Sequence, residues 1–258
     1  MHLKLMDEKF FISLLEIKKL HSLMVNIKYI FSNFYKFIQE ILKNQKIKRF
    51  SFTGSYDYWN KRYEIGGSSG LGSQNHLAQY KAEIINNFVD KYNIKSIIEF
   101  GCGDGNQLRL SNYPNYIGYD ISKKAISQCQ SLFLGDDLKS FHLMDEYNGE
   151  MADLTLSLDV IFHLVEDEIY QNYMEQLFDA SNKFVIIYSS NIEQKVDPKY
   201  PHIKHRKFSN WIQKKRPSWQ LIKHIPNRYP HKSYSILGSY SEFFIYEKIT
   251  NQFNKAHE

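Results

Sequence analysis

Residues 99–106, Glu-Phe-Gly-Cys-Gly-Asp-Gly-Asn, are the segment of this chain that is most informative about its fold. It follows an apolar segment that is typical of a buried strand, and we expect it to open the next helix. Glycines in such a turn allow a sharp bend and let backbone N–H groups approach a ligand closely. Asp120 lies nineteen residues after Gly101, at the end of the next predicted strand. An acidic side chain there can accept hydrogen bonds from both ribose hydroxyls of a nucleoside.

Strands and helices alternate on both sides of this turn, which predicts a mainly parallel sheet covered on both faces. Two late segments have only a loop between them, and this predicts an antiparallel strand at the edge of the sheet. The predicted strands cover residues 96–100, 116–120, 140–143, 154–158, 184–188, 219–225 and 242–246. The predicted helices include one capped by Ser122 and one over residues 168–180.

Charge is distributed unevenly along the 258 residues. Residues 1–50 carry a net charge of +6, residues 51–200 carry −9, and residues 201–258 carry +8. This pattern does not resemble a uniform nucleic-acid surface, and it indicates two sub-sites with different electrostatic demands. The two cysteines exclude a disulfide scaffold and a multi-cysteine zinc site, so we expect a reducing, cytoplasmic setting. We find no targeting peptide and no apolar stretch long enough to cross a membrane.

The acidic residues around the turn distinguish between two nucleoside cofactors. A dinucleotide needs a G-x-G-x-x-G turn that seats its pyrophosphate on a helix N-terminus. This chain has G-x-G-x-G instead, with Glu99 before the first glycine and Asp104 inside the turn. Those carboxylates would repel a pyrophosphate, but they suit a ligand that bears an ammonium and a sulfonium. S-adenosylmethionine carries both and has no phosphate.

Three motifs resemble those of class I S-adenosylmethionine-dependent methyltransferases over about residues 55–248. They are the Gly turn 99–105, the pair Tyr119-Asp120, and the segment 153–159. Residues 58–63 (YWNKRY) with 66–70 (GGSSG), 158–167 (LDVIFHLVED) and 202–208 (HIKHRKF) also resemble methyltransferases found in bacterial capsule and lipopolysaccharide clusters. The resemblance implies a Rossmann-like fold with a mainly parallel seven-stranded sheet whose last strand is antiparallel.

We divide the chain into three parts on this basis. Residues 1–50 form a helical extension, residues 51–94 form lid helices around a Gly-rich loop, and residues 95–250 form the cofactor-binding core. The amphipathic extension has basic residues between its apolar positions. It is predicted to pack on the domain or on a second copy, as in a homodimer, or to lie peripherally on an anionic membrane.

The resemblance implies roles for several residues in binding S-adenosylmethionine. Glu99, Gly101 and Gly103 would hold its amino-acid end, and Asp120 with the adjacent Ile121 would contact its ribose. Asp145 would lie near the adenine amino group, with Asp136 and Asp137 as competitors, and Asp159 would stand beside the methyl-bearing sulfur. Trp59, Arg62 and Tyr63 would close over the cofactor, with Arg62 able to pair its carboxylate. For Trp59 and Tyr63 the alternative is ordinary helix packing.

The implied reaction is transfer of a methyl group to an oxygen of a surface-glycan sugar or of its phosphate- or phosphoramidate-type substituent. His163, four residues after Asp159, is the candidate base, because an imidazole that titrates near neutrality can accept a hydroxyl proton. An acceptor that is already anionic needs no base, and His163 would then only position it. His205 and Arg206 are candidates for recognising an anionic glycan or nucleotide sugar, whereas Lys214, Lys215 and Arg216 fit a solvated helix face.

Two further functions compete with this interpretation. The first is methylation of RNA or of a small metabolite, although no RNA-binding module is visible and we expect no nucleic-acid partner. The second is a non-catalytic scaffold subunit that only binds the cofactor. A metal site is not expected, because no carboxylate or cysteine is spaced to complete one with His202 and His205.

Overall fold

The computed structural model of the chain describes residues 52–231 and 238–249. The predicted helical extension 1–50, with its proposed contacts to a membrane or a second copy, lies outside the described residues. Cytoplasmic location likewise stays a prediction. Within the described part, no helix combines the length and the apolar character that crossing a membrane requires.

The described residues form five helices and seven strands. The helices are α1 (Ser55–Glu64), α2 (Asn75–Lys91), α3 (Lys123–Leu132), α4 (Asp167–Asp179) and α5 (Phe208–Lys215). The strands are β1 (Ser96–Phe100), β2 (Asn115–Asp120), β3 (Lys139–Leu143), β4 (Ala152–Leu158), β5 (Ser181–Ser189), β6 (Trp219–Ile225) and β7 (Glu242–Lys248). Ser122 caps α3 as predicted, since its Oγ accepts a hydrogen bond from the Ala125 amide at 3.4 Å.

The seven strands form one sheet in the order β3-β2-β1-β4-β5-β7-β6. Strands β1 to β5 pair in parallel, whereas β7 pairs antiparallel with both β5 and β6. The mainly parallel seven-stranded sheet is therefore confirmed. The antiparallel last strand, β7, is confirmed as well, but it is not at the edge of the sheet, because it inserts between β5 and β6. Residues 243–246 of β7 are continuously apolar and buried, whereas most residues of β6 are not buried, which suits an edge strand.

Apolar side chains cover both faces of this sheet. Residues of α2 and α3 pack with Ile97 of β1 on one face, and residues of α4 and α5 pack with Ile98 on the other. Adjacent residues of a strand point to opposite faces, so both must be apolar when both faces are covered. This burial explains the continuous apolar runs of the central strands.

The helix expected directly after the Gly turn is absent. A single 3-10 turn, Leu108–Leu110, is the only helical segment between Gly105 and β2. Pro114 lies just before β2, where its missing N–H and fixed φ do not favour a helix. The turn at residues 101–105 is therefore not followed by a long helix whose N-terminus could seat a pyrophosphate.

Candidate functional site

A cavity opens at the carboxyl ends of β1, β2 and β4, where parallel strands of one sheet end together. Its volume is about 170 Å³. A single water needs only about 10–15 Å³, so the cavity has room for an organic ligand. The Gly-turn candidates that line it are Glu99, Gly101, Gly103, Asp120 and Ile121. The other predicted residues that line it are Trp59, Tyr63, Asp159 and His163. One edge of the sheet thus brings together most of the predicted cofactor site.

The Gly turn needs its glycines for both conformation and space. Gly101 and Gly103 have φ values of 81° and 62°, in the left-handed region that favours glycine. A Cβ on Gly101 would lie 2.5 Å from Val160 Cγ2, and one on Gly103 would lie 2.3 Å from Ser69 Oγ. The amides of Gly101 and Cys102 both donate to the carbonyl of Tyr119, which ties β1 to the end of β2. A larger residue at Gly101 or Gly103 would therefore clash with Val160 or Ser69 and would be strained by the positive φ.

Asp120 is buried and fixed at the end of β2. Its Oδ2 accepts a hydrogen bond from the Gly103 amide at 2.9 Å, and its Oδ1 accepts one from the Ser122 amide at 2.9 Å. Burial raises the pKa of this carboxyl to about 6, and the backbone amides oppose the rise. A carboxylate has about four acceptor sites, so Asp120 keeps capacity for ligand hydroxyls. This geometry fits the role expected for it.

Glu99 is the other buried acid at the turn. It is 4% exposed, and its Oε2 accepts a hydrogen bond from the Tyr116 hydroxyl at 2.7 Å. Burial raises its pKa to about 7, with the Tyr116 hydrogen bond and nearby Lys81 opposing the shift. At neutral pH, Glu99 is therefore partly protonated in the ligand-free protein. The electrostatic preference for a cationic ligand depends on pH through this group.

Lys81 is a cavity residue that sequence reasoning missed. Its side chain is fully buried on α2, and its Nζ forms a 2.9 Å salt bridge with Oδ2 of Asp159. Lys81 lies four residues from both Leu77 and Ile85, which are buried on the same helix face. A charged residue inside an apolar stripe was the signal in the sequence, because a buried lysine needs an acidic partner.

Asp159 follows β4 and lines the cavity as predicted. Its φ of 60° is left-handed, a conformation that aspartate tolerates better than most residues. Its Oδ1 accepts a hydrogen bond from Ser241 Oγ at 2.7 Å, while its Oδ2 faces Lys81. Both carboxylate oxygens therefore have protein partners.

The Gly/Ser-rich loop 66–75 packs against the Gly turn. The Ser69 amide donates to Asp104 Oδ2 at 3.0 Å, and the Asp104 amide donates to Ser69 Oγ at 3.1 Å. Ser69 Oγ also lies 2.9 Å from the Tyr63 hydroxyl. Residues of the loop and of α1 line the cavity, and their role as a lid stays a prediction.

Of the three α1 residues predicted to close over the cofactor, Arg62 differs in position from Trp59 and Tyr63. Trp59 lines the cavity, whereas Arg62 is not among the lining residues. Arg62 is 8% exposed and donates from Nε to the Ser68 carbonyl at 2.6 Å, with its guanidinium 5.5 Å from the Trp59 ring centroid. Its pairing with a cofactor carboxylate stays a prediction, and in this structure it holds the lid loop.

His163 lines the cavity beside the lid. Its ring makes an edge contact with Trp59 at 4.8 Å between centroids, and its Nδ1 lies 3.1 Å from the His202 carbonyl. Burial lowers its pKa to about 3, so the ring does not titrate near neutrality as expected from sequence. A base with so low a pKa is poorly matched to accept a proton near pH 7. The surroundings favour the positioning role over the role of base.

Four other sequence candidates, Asp145, Asp136, Asp137 and His205, lie away from the cavity lining, and Asp137 is exposed. Asp145 is exposed, and its neighbour Met144 lines the cavity instead. Of its predicted competitors, Asp136 forms an ion pair with Lys139. His205 is partly buried, and its Nδ1 lies 2.6 Å from Ser190 Oγ.

Arg206 does not fit the acceptor-binding role expected for it. It is 8% exposed and donates to the carbonyls of Leu164 and Val165 and to Asp167 Oδ1. Its guanidinium also lies 4.5 Å from the Tyr170 ring centroid. These contacts place Arg206 between the segment after β4 and α4, where it stabilises the fold. Sequence spacing could not show that its donors are used internally.

Metal ligands are not gathered anywhere in residues 52–231 or 238–249: no group of three or more histidine, cysteine or acidic side chains is placed to hold an ion. The donor set of the cavity instead fits a cationic nucleoside. Two buried carboxylates border the glycine turn, and no helix N-terminus follows to receive a pyrophosphate.

Comparison with known proteins gives matches only among solved structures, since no family model and no curated protein matches the sequence. The N-methyltransferase NodS from Bradyrhizobium japonicum WM9, in complex with S-adenosyl-L-homocysteine, is 11% identical with a TM-score of 0.60, covering 76% of this chain and 98% of that one. Magnesium protoporphyrin IX methyltransferase from Synechocystis PCC 6803 is 14% identical with a TM-score of 0.54, covering 75% and 97%.

The methyltransferase domain of the bacterial protein CtHen1 is 18% identical with a TM-score of 0.52, covering 67% of this chain and 99% of that domain. These sequence identities are too low to infer a substrate for this chain. The structural similarity and the strand order of the sheet both indicate the same fold. The described chain has the Rossmann-like fold of class I methyltransferases.

Proposed function

We propose that the protein transfers methyl groups from S-adenosylmethionine. The observation that carries this proposal is the pair of buried carboxylates, Glu99 and Asp120, which border the Gly turn on the cavity wall. A buried acid is costly unless a partner compensates it, so a cationic ligand is favoured there. The missing long helix after the turn disfavours a dinucleotide, whose pyrophosphate uses a helix N-terminus.

Different residues of the chain would bind different parts of this cofactor. Glu99 and the Gly turn would hold the amino-acid end, and Asp120 with Ile121 would receive the ribose. Trp59 and the lid loop would exclude water above it. When bound, S-adenosylmethionine supplies an electrophilic methyl group, and the protein's task is to orient an acceptor against it.

For the acceptor, we propose an oxygen of a surface-glycan sugar or of its phosphate- or phosphoramidate-type substituent. The motifs at residues 58–70, 158–167 and 202–208 support this choice by their resemblance to capsule and lipopolysaccharide methyltransferases. The low pKa of His163 is compatible with an acceptor oxygen that is already anionic, because such an acceptor needs no base. His163 would then position the acceptor.

The test is a transfer assay with isotopically labelled methyl donor. Candidate nucleotide sugars, phosphoramidates and capsule fragments are incubated with the protein, and the labelled product is identified. Asp120→Ala should weaken binding of S-adenosylhomocysteine by about 1–3 kcal/mol, because it removes two acceptor oxygens from the ribose site. Asp57→Ala is the matched control, since Asp57 is exposed on α1 and bonds only to Thr53 among the contacts described.

Label in a glycan or its phosphate-type group, reduced in Asp120→Ala at limiting methyl donor and kept in Asp57→Ala, is the expected result. Label in none of these acceptors, with cofactor binding intact, would contradict the acceptor class and leave the donor in place. Equal binding of S-adenosylhomocysteine by wild type and Asp120→Ala would contradict the assigned site.

Methylation of RNA is the second candidate, since the similar structures include the small RNA methyltransferase HEN1. The identity to it is 18%, and the chain matches 25% of its length. Binding of tRNA measured in rising salt separates the two functions. A steep loss of affinity with salt, together with label in the RNA, would favour RNA over a glycan.

A further inference from the structure

Lys81 occupies an unusual position in the cavity wall. Among the residues that the structure describes, it is the only lysine or arginine that lines the cavity, and its side chain is fully buried. An ammonium removed from water is costly unless an opposite charge compensates it. A lysine at this place therefore requires an explanation beyond helix packing, for which an apolar residue would serve.

The partner of Lys81 is Asp159, whose side chain is 18% exposed at the end of β4. The 2.9 Å salt bridge compensates its negative charge, and Ser241 fixes the other carboxylate oxygen. Glu99 and Asp120 have no ion-pair partner within 4 Å in the described part of the chain. The cavity is thus acidic at the ends of β1 and β2 and compensated at the end of β4.

This uneven distribution of charge in the cavity wall affects methyl transfer, because the charge on sulfur changes during the reaction. A lone pair of the acceptor forms a bond to the methyl carbon while the carbon–sulfur bond breaks, and the electron pair of that bond stays on sulfur. The sulfonium becomes a neutral thioether, so positive charge leaves the sulfur in the transition state. An unpaired carboxylate beside the sulfonium, the place expected for Asp159, would stabilise the charged donor more than the transition state, which slows the reaction.

We propose that Lys81 is a positioning residue for methyl transfer, which cancels the charge of Asp159 so that the cavity does not overbind the charged donor. This inference rests on the proposed use of S-adenosylmethionine. Lys81 acts through Asp159 and need not touch the ligand, which agrees with its complete burial.

The test compares two ligands that differ in the charge on sulfur. S-adenosylmethionine is positive there, S-adenosylhomocysteine is neutral, and they otherwise differ only in the methyl group. Their dissociation constants are measured by calorimetry for wild type, Lys81→Met, Lys81→Arg, Asp159→Asn and the double variant Lys81→Met with Asp159→Asn. Lys91→Met is the matched control, because Lys91 is exposed at the end of the same helix.

The expected readout is the ratio of the two affinities. Lys81→Met should shift this ratio toward S-adenosylmethionine by about tenfold, because one unpaired charge acts across a partly shielded site. Asp159→Asn should shift it about tenfold the other way, and asparagine also tolerates the left-handed backbone. The double variant, Lys81→Arg and Lys91→Met should keep the wild-type ratio.

A purely structural Lys81 would lower both affinities together and leave the ratio unchanged, and this result would overturn the inference. If Lys81→Met does not fold, Asp159→Asn and the double variant decide the question by the same ratio. Failure of wild type to bind either ligand would refute the proposed function instead.

Discussion

Replacing Glu99 by glutamine should remove a large pH-dependent component from the stability of the ligand-free protein. The pKa of Glu99 is raised from 4.5 to about 7 by burial, so the folded state binds more protons than the unfolded state between these values. The free energy of unfolding therefore falls as pH rises through this window. Integrated from pH 5 to pH 8, the loss from this group is about 2.5 kcal/mol.

Glutamine has the size of glutamic acid, can still accept the Tyr116 hydrogen bond, and does not ionise. Urea unfolding at pH 5 and pH 8 should thus show Glu99→Gln close to wild type at pH 5 and more stable by about 2.5 kcal/mol at pH 8. The same variant should bind S-adenosylhomocysteine more weakly, because the ligand ammonium loses its carboxylate partner. Glu83→Gln, an exposed residue of α2 paired with Arg228, is the control. A stability difference between Glu99→Gln and wild type that is the same at both pH values would refute the reasoning.

Three further substitutions test other parts of the site. Gly103→Ala should weaken binding of S-adenosylhomocysteine by about tenfold or more, because the new Cβ would clash with Ser69. Gly149→Ala is the control and should keep wild-type affinity in the same titration, because Gly149 also has a positive φ, of 89°, but has open space around it. His163→Ala should keep cofactor affinity, and the pH profile of wild-type turnover should show no inflection near pH 6.5 from this residue, since burial lowers its pKa to about 3. A wild-type inflection near pH 6.5 that disappears in His163→Ala would contradict this. Arg206→Met should lower the free energy of unfolding, measured by urea denaturation, by about 2–4 kcal/mol, since Asp167 and two backbone carbonyls lose their hydrogen-bond donor. A raised KM for the acceptor at unchanged stability would instead support the acceptor-binding role of Arg206.

The sequence predicted the strands and the Gly turn well because local patterns determine them. Strand β1 was located residue for residue, since an apolar run that ends in glycines has few alternatives. The order of β6 and β7 was missed, because periodicity does not encode which strand lies next to which. The expected helix after the Gly turn was missed because glycine-rich turns usually precede one, and Pro114 was not weighed against it.

Contacts between residues far apart in the sequence explain the remaining differences between the predicted and the observed site. Lys81 and Asp159 are 78 residues apart, and only the folded sheet edge brings them together. Arg206 lies in a basic run typical of a recognition loop, but its guanidinium donates hydrogen bonds to Val165 and to Asp167 of α4. The pKa of His163 depends on burial between α1 and the segment around His202, which the position of the residue in the sequence does not show.

Acids that border the glycine turn should select a cationic nucleoside over one that carries a pyrophosphate. This selectivity is measured by calorimetric titration of the protein with S-adenosylhomocysteine and, separately, with NAD⁺ at pH 8. We expect saturable one-to-one binding of S-adenosylhomocysteine and no measurable heat of binding with NAD⁺. Saturable binding of NAD⁺ with none of S-adenosylhomocysteine would contradict this selectivity.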